Sequence, residues 1–537
     1  MHVPKTGQKT LFDVELALPD PKVNRLVHSW AGTFREHVLP LLIEMEPSFA
    51  KFYSPDMGAP NKAIAILLGL LIIKENEDLT DAQVVEGFEF DLQWHYALDV
   101  PSSEAHICPK TLYNFRQKLM TDNTLQEVFE NLCDRLIEQW EIRTTRHRID
   151  STHIVSNMKI LSRLQLFVKT IEQFLKKKKN RERVAHLPKR FHERYLDRQG
   201  YFCDAKSSEA RRRLDQCARD LWWLIDHFRG NKEVERQQSY QLMKRLFEEQ
   251  CVVDEGSADD DETPRISLKP PKDIESDTLQ SPSDPDATYS GHKGKGYQAQ
   301  LGETCHPDNP FQVIDYVKVE GAHESDQNAA EPFHENLKSR GHEPAETFAD
   351  TGYISGPNIL DAEAQGVDLI GPMPGRDCKE DKLTAADFEF NAERSRVERC
   401  PAGHEPVDHK SSKTEGTINV LFDLAKCDEC PMQNNCPTRK TKKHRIYTIH
   451  SATAAGQQRR RQETTVAFKE AYKIRSGIEA TNSHLKNERG MKRLSVRGSP
   501  AVTLSVVFKV IAENVSRMVK HVLEKMEEAQ NTVVPAH

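Results

Sequence analysis

Apolar and polar residues recur at helical spacing in the segment KEAYKIRSGIEATNSHLKNERG, residues 469–490. At about 100° per residue, one sector of the predicted helix holds the apolar positions Ala471, Ile474, Ile478 and Leu485. A second sector, an arc of roughly 60°, holds the polar positions Tyr472, Arg475, Glu479 and Lys486. The pattern predicts a helix that buries an aliphatic stripe and presents one acid, two cations and a phenol together. Taken alone, the segment also fits an ordinary amphipathic helix with a solvated polar face.

Hydrophobic runs near the other end predict a helical N-terminal region. The run AIAILLGLLII, residues 63–73, predicts a buried helix, because it is too short to span a bilayer and is flanked by lysines. We predict a poorly defined lead-in over 1–60 and a compact helical domain over 61–125. Its last helix begins at Pro109, which suits a first helical turn.

Period-two patterns predict the strands of a sheet. HRIDSTHIVSN places Asp150 among β-branched neighbours, and AETFADTGYISGPNI places Asp350 after a short apolar stretch. Residues 297–301 and 313–319 predict two antiparallel strands joined by a turn at 306–310. Helices around 329–339 and 357–365 and a strand at 367–370 follow.

The remaining segments predict insertions. Residues 158–251 are helical in pattern and highly charged, which indicates a helical insertion. Residues 252–285 are rich in acids, Ser and Pro, which predicts a flexible linker. Residues 376–465 form a Cys-rich insertion.

The spacing Y-x2-R-x3-E-x6-K around Glu479 resembles the signature of the third acidic residue in DDE insertion-sequence transposases. The strands at Asp150 and Asp350 resemble those that carry the first two acids. Between them, DPDATYSGHKGKGYQAQLGET resembles one bacterial group of these enzymes, the eleven-eighty-two type. The resemblance extends from about Asn61 to about Arg497, with four motifs in the family's order.

The resemblance implies an α/β protein with an RNase H-like catalytic domain, a mixed sheet with helices on both faces. That domain is assembled from residues 140–157, 286–375 and 466–525. Asp150, Asp350 and Glu479 are then the catalytic acids. Oxygen ligands without His or Cys favour two Mg²⁺ or Mn²⁺ ions, which promote in-line attack at phosphorus.

The resemblance also directs attention to residues that bind DNA. Arg475 is suited to bidentate phosphate contact, Lys486 acts as a point charge, and Tyr472 lies beside them. Two further sets of candidates are predicted. His292, Lys293 and Lys295 lie in the segment YSGHKGKG. Arg116 and Lys118 lie in the helical domain, which resembles a helix-turn-helix module. A plain three-helix bundle is the alternative for that domain. Asp286 and Asp315 are possible extra acids, although surface or turn roles are favoured for both.

A cysteine cluster predicts a second metal site. One CxxC pair with two further cysteines supplies four thiolates for a structural zinc ion, with His404 in reserve: Cys400, Cys427, Cys430 and Cys436. The alternative is a set of reduced, partly buried cysteines.

Composition is consistent with these interpretations. The chain has 537 residues and a formal net charge of −7, so its basic runs matter more for DNA binding than its total charge. With no visible signal peptide or membrane span and an odd number of cysteines, 11, we expect a bacterial cytoplasmic, nucleoid-associated protein.

The expected partners are its element's terminal inverted repeats, target DNA and at least a second copy of the chain. An RNase H-like nuclease without strand transfer and a non-catalytic, transposase-derived DNA-binding protein are the competing functions.

Overall fold

The N-terminal region is helical because its apolar residues recur at helical spacing. In the computed structural model the described residues are 5, 18–54, 61–197, 207–258, 264–342, 344–375, 382–391, 394–414 and 416–533. Parts of the predicted lead-in, linker and Cys-rich insertion therefore lie outside the described residues. The N-terminal helices are α1 (Asp20–Val27), α2 (Trp30–His37), α3 (Leu39–Met45), α4 (Ile64–Asn76), α5 (Asp81–Phe90), α6 (Leu92–Ala97), α7 (Pro109–Leu119) and α8 (Thr124–Gln139).

Helix α4 is the predicted buried helix. Its residues from Ile64 to Ile73 are buried on all sides. It packs against the long C-terminal helix α21 (Ser499–Val533), and both belong to the same hydrophobic core as one face of the central sheet. The helical domain predicted for 61–125 therefore has no core of its own.

The predicted helix-turn-helix module differs from the structure in its connection. Residues 98–108 separate α6 from α7, whereas the turn of such a module has three to four residues. Helix α7 itself begins at Pro109, as predicted. The longer loop places α7 against α5 and α8.

A mixed sheet forms the centre of the molecule. Its strands are β1 (Arg146–Ile154), β4 (Thr288–Ser290), β5 (Gly294–Thr304), β6 (Ile314–Gly321), β7 (Glu346–Ala349) and β8 (Asp368–Ile370), with β2 (Cys251–Ala258) and β3 (Pro264–Leu268) forming a separate hairpin. Strand β1 runs antiparallel to β5 and parallel to β7, β8 is parallel to β7, and β6 is antiparallel to β5. Strands β1, β5, β6, β7 and β8 form where the sequence predicted strands.

Helices cover both faces of this sheet. Helices α15 (Ala330–Ser339) and α16 (Gly356–Ala364) pack with Ile149 and Leu369 on one face. Ile154 and Leu301 pack toward the N-terminal helices and α21 on the other. Since alternate residues of a strand face opposite sides, Asp150 lies on the opposite face from Ile149.

The segment predicted as one helix from 469 to 490 is interrupted. It consists of α19 (Val466–Tyr472), a 3₁₀ turn (Lys473–Ser476) and α20 (Gly477–Asn487). Ile478 and Leu485 are buried, as the apolar stripe predicts, but Ala471 is exposed. The tighter turn rotates α19 relative to α20, so a single 100° repeat does not describe both.

The helical insertion forms its own core. Its helices are α9 (Arg163–Leu175), α10 (Arg181–Ala185), α11 (Lys189–Phe191), α12 (Ser207–His227), α13 (Lys232–Glu235) and α14 (Gln238–Gln250).

The predicted flexible linker is largely structured where it is described. It contains most of the β2–β3 hairpin, and Asp284 is fully buried. The carboxylate of Asp284 accepts hydrogen bonds from Tyr297 Oη (2.6 Å), from the backbone N–H of Gly498 (3.1 Å) and from Ser156 Oγ. Polar composition therefore did not mean disorder here, because side-chain hydrogen bonds hold the segment in place.

The Cys-rich insertion carries a second sheet. Its elements are β9 (Glu389–Phe390), β10 (Val397–Arg399), β11 (Asp408–Ser411), β12 (Thr417–Asp423), α17 (Leu424–Asp428), β13 (Arg439–Lys440), β14 (His444–His450) and α18 (Ser451–Gln462). The larger sheet has the order β11-β12-β14-β13, and α18 packs against α16. Among the described helices of the whole chain, none combines the length and the apolar character needed to cross a membrane.

Candidate active site

The fold brings the three predicted acids together. Asp150 lies within β1, and Asp350 directly follows β7. Because Ile149 is paired with Ala349 in parallel register, the two aspartates occupy equivalent positions at neighbouring strands. Helix α20 supplies Glu479, and its Asn482 donates a hydrogen bond to Asp150 Oδ2 at 2.9 Å.

Arg475 lies between these carboxylates. Its guanidinium is 2.5 Å from Glu479 Oε1, 3.3 Å from Asp150 Oδ1 and 4.0 Å from Asp350 Oδ2. The side chains of Arg475 and Asp150 are only 15% and 14% exposed, whereas that of Glu479 is 61% exposed. One cation thus holds acids from two strands and a helix at a half-open site.

Burial dominates the electrostatics of Asp150. Desolvation raises its pKa to about 6, and Arg475 opposes this increase. Asp350 and Asp326 raise the pKa further, because two more negative charges lie close by. Desolvation is therefore the main reason for the raised pKa, and the surrounding charges act on it in both directions.

Asp326 is a fourth acid that the sequence did not indicate. It begins the 3₁₀ turn before α15, and its Oδ2 lies 3.3 Å from Lys293 Nζ. Its Oδ1 accepts a hydrogen bond from Gln300 at 3.0 Å. A Cβ at Gly352 would lie 3.0 Å from Asp350 Oδ1, which is a tight contact, and 3.4 Å from Asp326, which is an ordinary one, so the glycine makes room for the carboxylate of Asp350.

Two predicted lysines lie at the site. Lys293 donates to Ser151 Oγ at 2.6 Å and to Gln298 Oε1 at 3.0 Å. Burial lowers the pKa of Lys486, while the nearby Asp150 raises it. Lys486 is therefore close to Asp150, whereas Lys293 is held beside Ser151 and Asp326.

The other predicted contacts are arranged differently. His292 is exposed in the β4–β5 turn, and Lys295 donates to the carbonyl of Leu161 at 2.7 Å. The hydroxyl of Tyr472 donates to the carbonyl of Ala349 at 3.1 Å, so this side chain ties α19 to the end of β7. Its ring stacks on Phe468 with centroids 5.7 Å apart.

Arg116 and Lys118 have internal partners. Arg116 makes a two-fold ion pair with Asp81, at 2.9 and 2.5 Å. Lys118 Nζ lies 3.3 Å from the centre of the Tyr53 ring. These contacts join α7 to neighbouring elements, and the exposed face of α7 consists of other residues: Lys110, Tyr113, Asn114 and Gln117.

A buried ionic network holds α20 against the sheet. Glu303 of β5 is fully buried and pairs with Arg148 at 2.7 Å and with Arg517 at 2.8 Å. Thr481 of α20 donates to the same carboxylate, and Arg148 also donates to the carbonyl of Ile474 at 2.7 Å. The network thereby fixes Glu479 relative to Asp150.

The two possible extra acids have structural roles. Asp286 accepts a hydrogen bond from the backbone of Ser499 at the start of α21, at 2.9 Å. Asp315 is fully buried; burial alone would raise its pKa, but His147 at 2.9 Å and His342 keep the pKa well below its usual range. Both roles lie away from the Arg475 cluster.

The cysteine cluster surrounds one small cavity of about 20 Å³. Its lining includes all four predicted zinc ligands and the reserve ligand: Cys400, Cys427, Cys430, Cys436 and His404. The backbone N–H of His404 donates to Cys400 Sγ at 3.3 Å, and Thr438 donates to Cys436 Sγ at 3.3 Å. Burial and the neighbouring cysteines raise the pKa of Cys427 to about 11.

Neither cluster is a tight ligand cage. Within the described ranges, no three His, Cys, Asp or Glu side chains form a ready-made site for a metal ion. Three polar atoms in these two clusters are nevertheless buried without a hydrogen-bond partner among the described residues: Arg475 Nε, Asn482 Oδ1 and His404 Nδ1. Each cluster therefore retains unused capacity for a ligand.

Two protein families match parts of the chain. The family described as "Transposase DDE domain" matches residues 399–519, which include the four cysteines, Glu479 and much of α21. The family described as "Transposase domain (DUF772)" matches residues 31–118, from α2 to α7. No curated protein and no solved structure matches the chain. The chain thus contains a DUF772 transposase domain followed by a transposase DDE domain, whose fold is of the RNase H-like kind, and it is a transposase with a DDE domain.

Proposed function

We propose that this protein cuts DNA at the terminal inverted repeats of an insertion sequence and joins the released 3′ ends to target DNA. Asp150, Asp350 and Glu479 are the catalytic carboxylates. The convergence of these three acids on Arg475, from two strands and a helix, carries the proposal.

The residues suit hard divalent cations. Carboxylates without His or Cys favour Mg²⁺ or Mn²⁺. When bound, two such ions activate a water or a 3′-hydroxyl and stabilise the leaving oxygen. Asp150, Asp350 and Glu479 would hold them, and Asn482 orients Asp150 for this task.

Arg475 has two roles in this proposal. In the present arrangement it pairs with Glu479 and Asp150 and lies 4.0 Å from Asp350, so divalent cations would compete with it for the same oxygens. A guanidinium released from the acids is free to take phosphate oxygens bidentately. Lys486 beside Asp150 and Lys293 beside Asp326 add point charges that attract the scissile phosphodiester.

Recognition of the element's ends is assigned to α7. Arg116 and Lys118 are engaged internally, so we propose that its exposed residues contact the DNA. Tyr113, which is 54% exposed, and the neighbouring amides of Asn114 and Gln117 offer base-edge and backbone contacts.

The cysteine cluster is proposed as a structural zinc site. Cys400, Cys427, Cys430, Cys436 and His404 line one cavity, and N–H and O–H donors already point at two of the sulfurs. Donors of this kind stabilise metal-bound thiolates. His404 Nδ1 is buried without a hydrogen-bond partner among the described residues. Zinc here would join the loop at Cys400 to the segment around α17.

The experiment is a cleavage and strand-transfer assay on duplexes that carry the element's ends, in Mg²⁺. Asp150→Ala, Asp350→Ala and Glu479→Ala should each abolish cleavage while leaving end binding largely intact, because carboxylates that share metal ions act as one unit. A mutant with near-wild-type cleavage would remove that residue from the site.

The same assay separates the alternatives. Cleavage without joining of 3′ ends would favour a nuclease, and end binding without cleavage would favour a non-catalytic DNA-binding protein. Native mass measurement of the complex would show whether two or more copies assemble on paired ends.

A further inference from the structure

A basic groove lies on the helical insertion, away from the acidic site. It has a volume of about 800 Å³ and runs between the 3₁₀ turn Lys178–Asn180 and the helices α13 and α14. Five cations line it: Lys177, Lys178, Lys179, Lys232 and Arg236. We call this set the insertion groove.

The cations of the insertion groove have no counterions among the described residues. In the part of the chain that the structure describes, none of the five has a carboxylate within 4.0 Å. The acid in the lining, Glu233, pairs with Arg183 instead. Lys176, which precedes the five in sequence, differs from them because it pairs with Glu172 at 2.9 Å.

The insertion groove is held rigidly from beneath. Asn180 is fully buried, and its amide exchanges two hydrogen bonds with that of Gln237, at 3.0 and 2.9 Å. Asn180 also donates to the carbonyl of Phe174 at 3.0 Å. This amide pair clamps the lysine turn to the start of α14, so cations from two separate segments remain side by side despite their mutual repulsion.

We propose that the insertion groove binds the phosphate backbone of duplex DNA whose end lies in the active site. The inference rests on the proposed function for the identity of the partner. Adjacent positive charges on a fixed, open surface match the closely spaced phosphates of a duplex, and the contact is independent of sequence.

The distance along the insertion suits one continuous duplex. Leu161, at the start of the insertion, accepts a hydrogen bond from Lys295 of the β5 strand that borders the active site. Helix α9 follows with 13 residues, which span about 20 Å and lead to the lysine turn. About six base pairs of duplex cover that length, so a duplex that extends along α9 from the active site would reach the lysine turn.

The test uses the full-length protein and duplex DNA in EDTA, so that binding is measured without cleavage. Two neutralising pairs are made separately and together: Lys178→Gln with Lys179→Gln, and Lys232→Gln with Arg236→Gln. The combined variant should bind a 40-base-pair duplex at least tenfold more weakly at low salt. The slope of log affinity against log salt should fall by roughly two to three, as expected for lost phosphate contacts.

The matched control is Lys520→Gln with Lys525→Gln. Both lysines are exposed on α21 and pair with nearby glutamates, so removing their charge should change affinity less than twofold. Thermal unfolding of every variant confirms that the fold is retained.

The possible results separate this inference from the proposed function. If the wild type binds duplex DNA and the combined variant behaves like the control, the groove is a solvated surface that complements the C-terminal dipole of α9, and the inference is overturned. Weakened binding of structured RNA with unchanged duplex affinity would overturn it equally. A wild-type protein that binds no DNA contradicts the proposed function itself.

Discussion

The buried carboxylate of Asp150 has a pKa that its surroundings have shifted. Its pKa of about 6 lies above the usual value of 3.8, mainly because the side chain is desolvated. Ionising it in the metal-free protein therefore costs stability. The stabilising contribution of the protonated form is complete below about pH 4 and is lost as the pH rises through 6.

We expect Asp150→Asn to stabilise the metal-free protein at pH 8. The gain is at most about 3 kcal/mol, from a pKa difference of about two units, and it should disappear below about pH 4. Thermal unfolding in EDTA between pH 4 and pH 8 measures it, with the exposed Asp361→Asn as control. An equal effect at both pH values would show that ionisation of Asp150 is not the cause.

Asp326 is expected to act through Lys293. We predict that Asp326→Asn and Lys293→Gln each slow cleavage at least tenfold, and that the double variant is no slower than Lys293→Gln alone. Cleavage rates across a Mg²⁺ series measure this cycle, and Lys293→Arg should recover part of the rate. Additive losses, with weaker apparent Mg²⁺ affinity in the Asp326→Asn variant, would instead make Asp326 a metal ligand.

Among the elements, α20 and the Cys-rich sheet depend on different kinds of support. Helix α20 is anchored by the buried Glu303 and its two arginines, which fix it from several sides. The sheet β11-β12-β14-β13 has a small core, in which Phe388, Phe422 and Tyr447 are the larger members, and Cys400, Cys427 and Cys436 pack against it. A metal ion would therefore contribute more to the stability of the Cys-rich sheet than to that of α20.

The Cys-rich insertion should carry about one zinc ion per chain. Cys430→Ser should lose the metal and lower the melting temperature of the insertion, because a four-ligand site contributes directly to folding. Elemental analysis of protein purified without chelators measures the content, and the exposed Cys108→Ser serves as control. Zinc-free, fully folded protein would leave the cysteines as ordinary reduced thiols.

At the scale of the whole molecule, the N-terminal helices and the catalytic sheet share one core. Helix α21 contacts α4 and α8 on one side and β6 on the other. End recognition by α7 would therefore be mechanically connected to the acids, rather than tethered by a flexible linker.

Changes on the exposed face of α7 test that arrangement. Tyr113→Ala with Asn114→Ala and Gln117→Ala should reduce the preference for end sequences over random duplex at least tenfold, because base contacts carry specificity. Competition binding measures this, and Asn131→Ala on the exposed side of α8 is the control. Preserved preference would place the reading of ends elsewhere.

Local pattern was enough to predict most of the elements. The β-branched neighbours of Asp150, the apolar stretch before Asp350 and the apolar positions of α20 are short-range signals, and β1, β7 and α20 form where they occur. The buried α4 and the Cys-rich insertion were also recognisable, because an uninterrupted apolar run and a cysteine cluster need no tertiary information.

The tertiary structure decided which polar groups meet. Asp326 and Lys293 come together only when the turn before α15 lies against β5, and Glu303 meets Arg517 only when α21 crosses the sheet. The sequence predicted Arg116 as a DNA contact, whereas in the structure its guanidinium pairs with Asp81. Neighbours along the chain thus predicted most of the strands and helices, and the resemblance to DDE transposases selected the three acids among them. Burial, ion pairing and the sharing of Arg475 were decided by the fold, because they depend on residues far apart in sequence.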